Sequence, residues 1–310
     1  MITIYRGTEA GLKTVERPTK ECWIDVTNPT QDEARNLVRD LGIPQEFVNY
    51  SLNPDKIPLV ERSNDALLVL VRISHFRSAT SSIPYVSLPM GIIFTDDRVV
   101  TICRYKHNLL RDLPHEHQTD LSTAKPARFV LHLLWSIANN YLIHLSEINK
   151  IVEDIEDRLQ RSLQNREVLQ LLRYQKSLVY FTTALRANET MLERLQRGEF
   201  LKMERRDADL LDDVFTENRQ AIVMSEIARD ILSQMMDAFA SIISNNLNVV
   251  MKFLAAVTII LVVPTIIGTF YGMNIHLPLE NHPSAFPVLV GLSILSALIV
   301  GLIFWKKNWL

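Results

Sequence analysis

Apolar and polar positions follow three different patterns along this chain, and each predicts a different kind of element. Up to about Pro126, short β-branched and aliphatic runs at 2–6, 23–27, 67–74, 90–94 and 99–104 are punctuated by Pro and Gly. Helix-period stretches at 31–41 and 44–51 lie between them. This mixture predicts a small α/β domain over 1–126. Asp96, Asp97 and Arg98, set between two apolar runs, predict a hairpin turn.

Beyond Pro126 the punctuation stops. No Pro and only one Gly, Gly198, occur before Pro264, so the pattern predicts three long helices at about 127–163, 166–197 and 204–271. The polar Gln164 and Asn165 divide the first two. Residues 253–279 then carry no Asp, Glu, Lys or Arg, and 286–305 form a second charge-free run. Each is long enough to cross ~30 Å of hydrocarbon.

Together these patterns predict a membrane protein in seven segments. They are an α/β domain at 1–126, a helical hairpin completing it at 127–203, a stalk at 204–248, a first span at 249–271, an outer loop at 272–285, a second span at 286–305 and a basic tail at 306–310. Stalk and first span form one helix, ~100 Å long at 1.5 Å per residue. A helix of that length needs partners along it, and self-association is the economical supply.

Charge sets the orientation. Lys252 precedes the first span and Lys306 and Lys307 follow the second, while the connecting loop holds Glu280, His276 and His282 but no Lys or Arg. Cytoplasmic flanks favour basic residues, so both termini are expected in the cytoplasm of a cell with the spans in its inner (plasma) membrane. No N-terminal apolar stretch resembles a secretory signal. Cys22 and Cys103 are far apart and read as small buried hydrophobes of a reducing compartment. A net charge of −2 gives no basic face for nucleic acid.

One stripe on the third helix carries candidate chemistry. Alternating steps of four and three from Asp237 reach Ser241, Ser244, Asn248, Met251, Ala255, Thr258, Val262, Thr265 and Thr269. That spacing keeps one small, polar face toward a bundle axis. In hydrocarbon such a face either binds another helix or lines water, although Ser and Thr also bond their own backbone. The intervening Ile259, Ile260, Leu261, Ile266 and Ile267 suit lipid or the second span. In that span Ser293, Ala297 and Gly301 form a small-residue stripe for close packing. Tyr271, Gly272, Met273 and Asn274 stand where the first apolar helix runs out, a position suited to the mouth of an ion path.

The Tyr-Gly-Met-Asn ending, the preceding Pro264 and Thr265, the two closely spaced C-terminal spans and the closing Trp305-Lys306-Lys307-Asn308-Trp309-Leu310 resemble the CorA family of magnesium channels. The resemblance implies a homopentameric funnel with a cytoplasmic α/β domain and a central pore lined by the first span. Gly272, Met273 and Asn274 would form its mouth, with five Asn side chains in a ring. Magnesium dehydrates reluctantly, and a ring of neutral amide oxygens can accept hydrogen bonds from its bound water without stripping it. Below the mouth Thr269, Thr265, Val262 and Thr258 would face the ion path. Asn248 would form a second amide ring, Met251 and Leu254 an apolar constriction, and Asp237 an acidic ring at the exit.

The resemblance also implies feedback by cytosolic magnesium at Asp213, with Asp207, Asp209 and Asp212 nearby, between neighbouring soluble domains. The strand ending Arg72-Ile73-Ser74-His75-Phe76 lacks the carboxylate expected opposite. The outer loop departs from the family by adding His276, which with His282 would suit zinc, cobalt or nickel, whereas Met273 favours magnesium.

The expected partners are thus the bilayer, further copies of the chain and divalent cations. Magnesium is the ion carried, with no organic cofactor. No Walker-type Gly-x4-Gly-Lys-Ser/Thr occurs, and no nucleophile-base arrangement argues for an enzyme. His115, Glu116 and His117, with Asp112, read as a surface loop. The reading from a different class is a membrane-tethered coiled-coil scaffold or sensor whose spans only anchor it.

Overall fold

The computed structural model describes residues 1–8, 11–63, 65–95, 98–107, 122–161, 165–198, 200–201, 203–273, 284–307 and 309. The chain divides into two units, Met1–Gln234 and Met235–Leu310.

The first unit is built on a seven-stranded sheet: β1 (Ile2–Thr8), β2 (Gly11–Val15), β3 (Cys22–Thr27), β4 (Leu59–Ser63), β5 (Ala66–Phe76), β6 (Tyr85–Thr95) and β7 (Arg98–Cys103). Their order across the sheet is β2-β1-β3-β7-β6-β5-β4. Every neighbouring pair is antiparallel except β3 and β7. Two short helices, α1 (Gln31–Leu41) and α2 (Gln45–Leu52), cover one face of the sheet. There Leu37, Phe47 and Val48 pack with Ile24, Val26, Leu68, Ile93 and Ile102.

The opposite face carries α3 (Pro126–Arg161) and α4 (Asn165–Arg197). Trp23 points to this side and meets the Phe129 ring at 5.5 Å. Tyr141 and Phe181 cross edge-to-face at 4.9 Å. The sheet is therefore the middle layer of three. Burial on both faces explains why β6 reads as a run of inward residues with no alternation.

Local signals fix α1 at both ends. Thr30 accepts from the Glu33 amide while Glu33 accepts from the Thr30 amide, a reciprocal cap. Gly42 ends the helix at φ 68°, a left-handed conformation that glycine adopts without a Cβ clash. Edge strands β2 and β4 have no comparable apolar signature; they are five residues each and carry charged residues, Lys13 in β2 and Glu61 and Arg62 in β4, as suits strands with one open side. Strand β6 begins at Tyr85, five residues before the apolar run at 90–94. Pro89 stands one residue beyond the last β6–β7 pair, Met90 with Cys103, where the strand has no neighbour on that side.

Arg72 knots β5 to its surroundings. Its backbone amide donates to Asn188 Oδ1 at 2.9 Å, and its carbonyl accepts from Asn188 Nδ2 and from the Tyr141 hydroxyl. Its guanidinium donates to Ser87 and to the carbonyls of Pro54 and Lys56. Cys22 and Cys103 are buried free thiols. Burial pushes the Cys103 thiol up to about 11, which keeps it protonated and inert.

On the other face of β6, Gly91 lets α2 approach. A Cβ there would run into the buried Ser51 Oγ and lie 2.8 Å from Ser51 Cβ, with Leu68 Cδ1 at 3.3 Å. Ser51 itself donates to the Phe47 carbonyl at 2.7 Å, so it has little room to yield. Gly91→Ala is expected to cost about 1–3 kcal/mol as an overpacked core. The check is a thermal melt of the purified protein, in which an unchanged midpoint would refute the close approach.

Two further helices complete the chain. α5 (Arg205–Tyr271) has 67 residues and contains Pro264; α6 (Ala285–Lys306) has 22. Residues 205–234 of α5 belong to the first unit, where Ala221, Ser225, Ala228 and Leu232 are buried. Thr182 on α4 and Ser225 on α5 share a hydrogen bond of 2.8 Å. At the start of α5, Arg128 Nε meets Asp207 Oδ1 at 2.7 Å with side chains only 7% and 5% exposed. Asp207 also accepts from the Glu204 amide, capping the helix.

Candidate ion pathway

Two helices are long and apolar enough to cross a membrane, α5 and α6. In the second unit they pack along one side of each. Ala256 is fully buried, and Ile260, Val263, Pro264 and Ile267 are half-buried, a run at helical spacing that marks the side of α5 facing α6. The matching side of α6 is Ser293, Ser296, Ala297, Val300 and Gly301. A Cβ built on Gly301 would stand 3.9 Å from Ile260 Cδ1, an ordinary van der Waals contact that places Gly301 on the side facing α5. The small-residue stripe of the second span thus lies on its packed side.

The polar stripe of α5 points elsewhere. Asp237, Asn248, Met251, Leu254, Thr258, Val262, Thr265 and Thr269 are all exposed in the single chain, and none lies in the run that meets α6. The aliphatic positions divide: Ile260 and Ile267 turn inward, whereas Ile259, Leu261 and Ile266 stay outside. A packed face and an open polar face therefore share one helix.

The three threonines have a specific hydrogen-bond state. Thr258 Oγ1 donates to the Leu254 carbonyl at 2.8 Å, Thr265 to Leu261 at 2.8 Å and Thr269 to Thr265 at 2.7 Å. Each hydroxyl proton is thereby committed to the helix, and the oxygen keeps only acceptor capacity. Pro264 brings no N–H, so the Ile260 carbonyl lacks its usual donor four residues on.

At the end of α5 the Gly272 amide still donates to the Gly268 and Thr269 carbonyls, both at 3.1 Å, and the Met273 amide donates to Phe270 at 3.3 Å. Gly272 does not take the left-handed conformation of a helix-terminating glycine; among the described glycines only Gly42 does. Gly272 and Met273 are exposed. Asn274 lies outside the described residues, as do His276, Glu280, His282, Asp112 and the His115-Glu116-His117 cluster. Beyond α6 the Phe304 and Trp309 rings stack at 5.4 Å, and Lys306 and Lys307 are exposed.

The acidic residues around Asp213 do not act alike. Asp209, Asp212 and Asp213 are exposed, but Asp207 is buried against Arg128, which corrects its placement beside Asp213 as a sensing carboxylate. Burial pushes the Asp207 carboxyl up, yet the Glu204 amide and the Arg128 guanidinium outweigh it and hold the group below its ordinary range. Among the described residues no group of three His, Cys, Asp or Glu side chains is placed to hold a metal within one chain. The Arg128–Asp207 pair, 79 residues apart, had no local signature.

The model of a family described as "CorA-like Mg2+ transporter protein" matches residues 19–307. The chain is 29% identical over 297 residues to the "Cobalt/magnesium transport protein CorA" of Methanocaldococcus jannaschii, covering 93% of this chain and 91% of that one. It is 26% identical over 188 residues to the protein of the same description from Thermotoga maritima, covering 60% and 54%. Among solved structures, the complete CorA magnesium transporter of Methanocaldococcus jannaschii superposes with a TM-score of 0.84 at 26% identity, over 100% of this chain and 99% of that one. The full-length CmaX protein superposes at 0.70 with 15% identity, a likeness of fold.

Proposed function

The chain belongs to the CorA-like Mg2+ transporter family, and we propose that it conducts divalent cations, magnesium foremost, passively through a pore at the centre of a homopentamer. It is a divalent-cation transporter of the membrane and not an enzyme. The observation that carries the proposal is the open polar stripe of α5, which stands clear of the side that packs on α6. Five copies turning those stripes to one axis would line a path from Asn274 to Asp237.

The chemistry of the stripe suits a hydrated cation. Water bound to magnesium points its hydrogens outward, and the three threonine oxygens, with their own protons committed to the helix, can only accept. Val262 interrupts this ladder with an apolar ring, and Met251 and Leu254 form the constriction that closes by excluding water. Asn248 and Asp237 receive the ion below. Asn274, with Gly272 and Met273, forms the mouth. Cytosolic magnesium closes the pore through Asp213, exposed on α5 and open to a neighbouring copy. Both termini lie in the cytoplasm and the spans in the inner membrane.

The membrane potential suffices as the driving force. A divalent ion entering down a potential of ~100 mV, inside negative, gains about 4.6 kcal/mol, which supports roughly thousandfold accumulation. Proteoliposomes with an imposed potassium diffusion potential test this directly. Magnesium uptake is expected to rise when the interior is negative and to reverse with the sign of the potential. Uptake indifferent to potential would reject a passive pore, and no uptake of any divalent ion would favour the scaffold reading. Because the Methanocaldococcus relative is described as a cobalt/magnesium transport protein, cobalt is run beside magnesium, with zinc and nickel as further arms.

A further inference from the structure

A cavity of about 530 Å³ opens in the first unit, where the β4–β5 hairpin and the end of β6 meet the starts of α3 and α5. That volume falls within the ~300–1,000 Å³ of small-molecule sites. Its walls are of two kinds. Leu67, Phe94, Phe200 and Leu201 supply an apolar side, and the Phe200 ring lies against Gly198, where any Cβ would displace it. Six ionisable side chains supply the rest.

Charge accounting narrows the ligand. Arg128 is committed to Asp207 at 2.7 Å, and Lys125 to Glu204 at 3.1 Å. Arg62 and Asp65 remain, and neither has an ion-pair partner among the described residues. The Arg62 guanidinium donates to the Phe200 carbonyl at 3.0 Å, which holds it across the cavity and leaves further N–H donors unused. Both residues belong to one hairpin: Arg62 pairs with Leu67 in the β4–β5 ladder, and Asp65 lies in the turn between the paired Ser63 and Ala66. Both line the same cavity, so among the described residues one cation and one anion without an ion-pair partner, each exposed, border its apolar side.

We infer that this cavity binds a free apolar α-amino acid. Such a molecule carries a carboxylate and an ammonium on one carbon, which matches Arg62 and Asp65. The guanidinium fork takes the carboxylate, Asp65 takes the ammonium, and the side chain lies among Phe94, Phe200 and Leu201. A phosphate or other simple anion fits less well, because the three carboxylates of the lining balance its three cations. The site is separate from the α5 stripe and does not depend on the transport reading.

Isothermal titration of the purified full-length protein with L-phenylalanine tests the assignment. Saturable binding of one molecule per chain is expected. N-acetyl-L-phenylalanine, which lacks the ammonium, and L-phenylalaninamide, which lacks the carboxylate, are each expected to bind about tenfold weaker or worse. Arg62→Ala and Asp65→Ala should weaken L-phenylalanine by a similar factor, and Lys13→Ala on β2 should leave it unchanged. No saturable binding up to millimolar concentration overturns the inference, as does equal binding of the blocked compounds or an unaffected Arg62→Ala. If either cavity variant fails to fold, the blocked compounds on the unaltered protein decide alone.

Discussion

Asn274→Ala is expected to lower magnesium uptake into proteoliposomes at least about hundredfold while leaving the protein's assembly and melting temperature unchanged. In a homopentamer one substitution removes five amide side chains from the mouth at once. Each hydrogen bond to the ion's water is worth ~1 kcal/mol, so the ring contributes about 5 kcal/mol. At ~1.4 kcal/mol per tenfold, this leaves room for a loss of more than three decades even if relaxation recovers part of it. Radioisotope or dye-based flux measured at fixed potential gives the answer. Uptake within about twofold of the original protein would remove Asn274 from the mouth.

The second large effect concerns the start of the same helix. Asp207→Ala leaves Arg128 charged and buried, without its 2.7 Å carboxylate and with Glu204 farther off at 3.4 Å. Breaking such a pair from one side costs about 3–5 kcal/mol, whereas replacing both members by apolar residues is close to neutral. Asp207→Ala should therefore lower the melting temperature sharply, and Arg128→Met with Asp207→Leu should recover most of it. A pH series supplies the sign. Because the folded carboxyl sits below its ordinary value of 3.8, its stabilisation is present at neutral pH and is lost as pH falls through the depressed value. The gap between the unaltered protein and Asp207→Asn should hold from pH 7 to 5 and close only below about 3.8. A gap that closes between pH 7 and 5 would assign the effect to another group.

These two residues also mark where sequence was sufficient and where it was not. The long helices could be read because an absence of Pro and Gly is a local property, and α1 because Thr30, Glu33 and Gly42 cap it within its own segment. The edge strands escaped notice because a short strand with one open side needs no apolar alternation. The run at 90–94 missed the true start of β6 at Tyr85, because Pro89 interrupts the apolar pattern yet is tolerated where β7 has already ended. Asp207 looked like its acidic neighbours on α5, and only the fold brings Arg128 to it. Along α5 the stripe was legible from its spacing, and backbone bonding was expected of Ser and Thr as a type, but not that Thr258, Thr265 and Thr269 would all share it. Spacing reports which way a side chain faces, while the direction of a hydroxyl proton depends on the carbonyl beneath it.

The stripe carries one further requirement. Its steps average close to 3.5 residues, whereas a straight α-helix turns every 3.6, so a seven-residue pattern drifts by ~20° per repeat. From Asp237 to Thr265 the pattern runs four whole repeats, a cumulative drift of roughly 80°. On straight, parallel helices the polar face at one end would point nearly a quarter-turn away from that at the other, and no continuous passage could form. Helices wound around one another with a left-handed superhelix cancel the drift. The degree of winding would then decide whether Thr265 and Asp237 share an axis, and an unwinding of the bundle would break the passage with no side chain changing rotamer.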